Sequence, residues 1–161
     1  MIKNSLRLAA GILLAFGFAF GVQAQYGGGT PAAPAAMPAV PSMAKSFHAT
    51  LSGAQEVPPV PGGGKGSADF KLDAATKTLT WTVSYSGLTG DAVAAHIHGP
   101  AAPGANAGVE VPFAVGSNPI TGSVVLTDAQ IGDLASGKTY VNIHTAANKG
   151  GEIRGQITPA M

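Results

Sequence analysis

The chain reads as an all-β protein, an antiparallel Greek-key β-sandwich or flattened barrel with one short helix. Three observations predict this. Short segments that alternate apolar and polar residues recur along most of the chain. Gly- and Pro-rich stretches separate them. A single segment carries helix-start and helix-stop signals. Many short alternating strands with one helix define a sandwich or barrel rather than a parallel α/β sheet.

The elements follow in order. Phe47-His48-Ala49-Thr50-Leu51 is the first alternating strand, and 53–64 is a turn-rich connection. Residues 67–73 alternate again, and 74–77 make a tight turn. Residues 78–86 give the clearest strand, with Leu79, Trp81, Val83 and Tyr85 on one face. Strands are expected next over 93–98, 109–115 and 120–126, and Pro112 confines the second of these to a sheet edge. Thr127-Asp128-Ala129-Gln130 is a capping box, with Ile131 and Leu134 facing inward and Gly137 ending the helix. Strands over 139–144 and 152–158 close the domain.

The first 45 residues stand outside this pattern. Lys3 and Arg7 precede an apolar run from Leu8 to Val22, and Val22-Gln23-Ala24 presents small residues at the positions a signal peptidase requires. The expectation is a secretory signal over 1–24 and a secreted or periplasmic protein. The apolar run falls short of the ~20 residues of a membrane-spanning helix, and no later stretch is long enough to span. Residues 25–45, dominated by Pro, Ala and Gly, read as a flexible tether. The folded domain is then 46–161.

Charge narrows the partners. The chain has nine Lys+Arg and eight Asp+Glu; without Lys3 and Arg7 the balance is seven against eight, or −1. With no basic patch interleaved with aromatics, nucleic acid is excluded as the expected partner. An unidentified protein or a component of the cell envelope remains. The absence of cysteine leaves an exported fold to be held by its core or by a metal.

Candidate chemistry gathers in three stretches: Ala95-His96-Ile97-His98-Gly99-Pro100, Val141-Asn142-Ile143-His144-Thr145 and Gly151-Glu152-Ile153-Arg154-Gly155-Gln156-Ile157. In each, an isoleucine sits between polar residues. If Ile97, Ile143 and Ile153 face the core, then His96, His98, Asn142, His144, Glu152 and Arg154 face outward. His96 and His98, ~7 Å apart on one strand face, offer two nitrogens to one ion, and His144 a third. Three imidazoles suit copper or zinc and leave a position open for water or substrate. Asn142 or Glu152 would orient an imidazole from behind. The favoured reading is a metal-free network in which the histidines bond across strands and a Glu152–Arg154 ion pair fixes register, with the three-histidine metal site as the alternative. His48 reads as a surface residue, and Glu56 as a turn residue ahead of Pro58-Pro59 whose alternative is to approach the cluster. Asn106-Ala107-Gly108 reads as a turn.

Five segments together resemble the CHRD domain, the chordin-type module also found singly in bacterial exported proteins. They are Leu51-Ser52-Gly53-Ala54-Gln55-Glu56-Val57-Pro58-Pro59, residues 95–101, Leu126-Thr127 with Gln130 and Leu134, residues 140–145, and residues 151–157. Lys149 departs from the proline expected in that turn. The resemblance implies a single β-sandwich domain, of superoxide-dismutase-like or immunoglobulin-like type, and little about activity. The expectation is an exported binding or structural module of the cell envelope or extracellular space. At the level of fold, the His-x-His strand followed by glycine also looks like the copper-ligand strand of Cu/Zn superoxide dismutases. Carried over, His96, His98 and His144 would be copper ligands. The bridging histidine, the aspartate-containing zinc loop and the cysteine pair of those enzymes have no counterpart here, so no catalytic residue is assigned. No Gly-x-Ser-x-Gly elbow, phosphate-binding glycine loop or paired carboxylates indicate another enzyme class.

Overall fold

Alternation at period two places every second side chain of a strand against the core, and the computed structural model shows where those faces close. It describes residues 44–160, so the expected signal peptide and nearly all of the tether lie outside the described residues. Among them, nine strands, one α-helix and a 3-10 turn follow in the order β1 Lys45–Ser52, the turn Gly53–Gln55, β2 Lys65–Asp73, β3 Thr78–Ser86, β4 Ala92–His98, β5 Val109–Phe113, β6 Ile120–Val125, α1 Asp128–Ala135, β7 Tyr140–Thr145, β8 Ile153–Gln156 and β9 Thr158–Pro159.

The strands form one antiparallel sheet in the order β5-β4-β7-β8-β1-β2-β3-β6, with β9 also on β1. The sheet is an almost closed barrel whose end strands, β5 and β6, approach each other without pairing. Trp81 of β3 and Phe113 of β5 stack across this seam at 4.3 Å between ring centroids. Gly122 pairs with Trp81, and any side chain there would collide with the indole. Pro112 does lie on an end strand, where proline is tolerated.

The interior is filled by the expected faces. Leu79 and Val83 are fully buried, as are Ile143 and Ile153, and Ile97 is nearly so. Tyr85 is only partly buried. The helix starts as the sequence indicates: the Thr127 side chain accepts from Gln130 N–H, and the Gln130 side chain accepts from Thr127 N–H. Gly137 adopts φ +66° just past its end.

One expected strand is divided. Residues 152–158 were expected to be continuous, yet Ile157 N–H turns to Thr139 O and separates β8 from β9. Both pieces keep a single register along β1, from Ser52 opposite Arg154 to Phe47 opposite Pro159.

Candidate functional site

The side of the sheet away from the core carries the site on β4, β7 and β8. In the β4–β7 pair, His98 lies opposite Tyr140, His96 opposite Asn142 and Ala94 opposite His144. In the β7–β8 pair, Asn142 lies opposite Arg154. Directly paired residues project to the same face, so Asn142 sits between His96 and Arg154 across the sheet and between Tyr140 and His144 along its strand.

This face is not solvated. His98 and His144 are 8% exposed, Asn142 and Arg154 2%, and only His96 is half-buried. Periodicity correctly separates them from the apolar core, but their expected exposure is wrong. Three connections fold back over the sheet and supply partners: the turn after β1 with Glu56, the segment 99–108, and the segment 146–151.

The three histidines converge. His96 Nδ1 lies 3.0 Å from His144 Nε2, and one ring nitrogen from each of the three lies within 4.8 Å of the others. His98 Nδ1 is 3.0 Å from Ala107 O, and His144 Nδ1 is 2.9 Å from Lys149 O. A carbonyl only accepts, so both Nδ1 atoms carry the proton and both Nε2 atoms present lone pairs. His98 Nε2 is buried with no partner. Burial, then the neighbouring His144 and His98, lower the His96 pKa. Burial also lowers that of His144, against the opposing effect of Lys149 O. Both rings are thereby biased to the neutral form that binds metal.

These dimensions suit one ion. In a tetrahedral arrangement two nitrogens ~2.0–2.1 Å from a metal stand about 3.4 Å apart. The 3.0 Å between His96 Nδ1 and His144 Nε2 is near that spacing, and the widest separation in the group, up to 4.8 Å, must close by about 1.4 Å. The group could therefore hold a metal ion.

Arg154 and Glu152 part company. The expected ion pair between them does not form. Arg154 donates to Asn106 Oδ1 at 2.9 Å and Ala105 O at 2.7 Å, and its guanidinium carbon lies 3.4 Å from the centroid of the Tyr140 ring. The ring of His98 is parallel to that of Tyr140, with centroids 4.8 Å apart. Glu152 precedes β8 and turns to Thr89 and Thr145 instead. Its carboxylate accepts from Thr89 N–H and Thr89 Oγ1 (2.7 Å each), Thr145 Oγ1 (2.5 Å) and Asn148 Nδ2 (3.0 Å). Burial alone would raise this carboxyl, but the hydrogen bonds outweigh it and bring the pKa to about 2.

Glu56 is the residue that turn chemistry undervalued. It is 6% exposed, and its Oε1 has no hydrogen-bond partner. Burial raises its pKa to about 7, against the pull of the Arg154 guanidinium and the Val57 backbone. Asn106 also does more than turn the chain, because its amide donates to Val57 O while its oxygen receives Arg154. The only sequence signal for either was proximity to the polar stretches in a folded barrel, which no local pattern reports. His48 is a surface residue, 2.9 Å from Asp69 Oδ1.

The architecture thus defines a single-sheet β-barrel domain with a roofed polar face. A sequence model of the CHRD domain matches residues 47–157, and the chain belongs to that family. Neither the curated proteins nor the solved structures include a match to it. No helix among the described residues is long and apolar enough to cross a membrane.

Proposed function

We propose that this is an exported metal-binding CHRD domain, periplasmic or secreted, in which His96, His98 and His144 hold one copper or zinc ion. A single observation carries the reading: two of the rings are fixed through Nδ1 to backbone carbonyls, which leaves their Nε2 lone pairs free, and one ring nitrogen from each of the three histidines lies within 4.8 Å of the others. Anchoring one ring nitrogen to orient the other is the support that metal-ligating histidines typically receive. Every group in the set is neutral and borderline-soft, which suits copper or zinc over calcium or magnesium.

The test is metal content and affinity. Chelator-treated protein should take up about one equivalent of Cu(II) or Zn(II) and rise in melting temperature on loading, because an ion that binds only the folded state stabilises it. His98→Ala and His144→Ala should each abolish that uptake. A protein that takes up neither ion above the level of these variants is not a metal site.

The second reading is a metal-free binding or structural module that engages a protein or envelope component. It is favoured by the hydrogen bonds of Glu152 and Arg154, which tie the connections to the sheet without any ion. This reading expects stability and partner capture to be indifferent to chelator.

A further inference from the structure

We infer that Asn142 Oδ1 is the fourth donor of the histidine site, giving a three-nitrogen, one-oxygen set; this rests on the metal reading above. Asn142 lies directly opposite His96 and two residues before His144 on the same face of β7. It is 2% exposed, and its Oδ1 is buried without a partner. Such an atom is costly to bury unless something donates to it or binds it.

The orientation of the amide indicates what that something is. A Cβ built on Gly151 would collide with Glu56 Oε1 and lie 2.8 Å from Asn142 Nδ2, so the Glu56 carboxyl and the Asn142 amide nitrogen flank the same point. An amide presents its N–H side to a carboxyl and its oxygen away from it. Nδ2 is thus the end of the amide beside Glu56 and Gly151, and the proposed site takes the other end, Oδ1, towards His96 across the β4–β7 pair.

The chemistry of the neighbouring unpartnered atoms agrees. His98 Nε2, Asn142 Oδ1 and, behind the amide, Glu56 Oε1 are all buried without partners. With His98 Nδ1 donating to Ala107 O, His98 Nε2 is an acceptor like Asn142 Oδ1. Two buried acceptors without partners on one face call for a cation. Three imidazoles with an amide oxygen form a four-coordinate set that favours a divalent ion over Cu(I), for which the oxygen is too hard a ligand.

The probe is Co(II), whose four-coordinate complexes absorb visible light far more intensely than its five- or six-coordinate ones, together with Zn(II) affinity by competition. The wild-type protein should give the intense four-coordinate spectrum. Asn142→Leu, close in shape but lacking the oxygen, should weaken Zn(II) binding by at least about tenfold and change the Co(II) spectrum. Asn142→Asp, which preserves the shape, should keep the four-coordinate spectrum and tighten Zn(II) binding, because an anionic oxygen replaces a neutral one. An aspartate variant whose Zn(II) affinity equals that of the wild type overturns the inference even where the leucine variant does not fold. Wild-type protein that binds neither Co(II) nor Zn(II) overturns the metal reading itself, and this inference with it.

Discussion

Gly150 and Gly151 stand side by side and have unequal roles. Gly151 adopts φ +128°, a region L-residues rarely enter, and a Cβ there would strike Glu56 and crowd Asn142. Gly150 has nothing within 4 Å of the equivalent point. Gly151→Ala should therefore destabilise the domain by roughly 1–3 kcal/mol, because backbone strain adds to the displacement of two buried polar groups. Gly150→Ala should change stability by less than about 0.5 kcal/mol. Urea denaturation of the two variants decides it, and equal effects would remove Gly151 from the architecture of the site. At this scale the sequence was only partly legible. Alternation identified His96, His98, Asn142, His144 and Arg154 as belonging to one face. It misplaced Glu152, because the strict period ends where β8 begins and Glu152 lies just before it. It could not value Glu56, whose burial depends on a turn folding over strands nearly ninety residues later.

The elements were the most legible level, because each is specified by its own residues. β3 occupies the span its alternation predicts, and the capping box of α1 forms with both of its reciprocal bonds. The helix has only eight residues and one fully buried side chain, Leu134, so the cap is a large share of what holds it. Thr127→Ala should cost about 1 kcal/mol, and Thr127→Ser should recover most of it, since serine keeps the accepting oxygen. Thermal or chemical denaturation measures both; a serine variant as unstable as the alanine one would show that the methyl group, not the hydroxyl, matters. What the elements did not disclose is the roof. Alternation tells which side of a strand avoids the core, but not whether a Gly- and Pro-rich connection returns to cover that side. The segments 99–108 and 146–151 do so by offering backbone carbonyls to His98, Arg154 and His144, and any residue type carries those.

Across the whole molecule, two buried carboxyls among the described residues have opposite signs of linkage to pH. The pKa of Glu152 is lowered from 4.5 to about 2. Between those values the unfolded chain binds more protons than the folded one, so stability from this group is present above pH 4.5 and is lost as pH falls towards 2. The pKa of Glu56 is raised from 4.5 to about 7. In that window the folded state binds more protons, so stability falls as pH rises from 4.5 to 7 and is level beyond it. His96 and His144, both lowered from 6.5, act against Glu56: the unfolded chain protonates them first, so their contribution diminishes as pH drops below 6.5. The histidines make the upper limb of the wild-type curve shallow, and the two carboxyls are separated by substitution. Glu56→Gln removes the descending contribution, so its stability relative to wild type should grow between pH 4.5 and 7. Glu152→Gln should lose stability at neutral pH, since an amide N–H₂ replaces an acceptor of Thr or Asn donors, and the deficit should shrink as pH falls below 4.5. Denaturant midpoints from pH 2 to 8 in the presence of chelator test this. A Glu56→Gln difference that does not vary with pH would mean that Glu56 ionises as freely in the folded barrel as in the unfolded chain, and that the pocket formed by Gly151, Asn142 and Arg154 does not keep water from it.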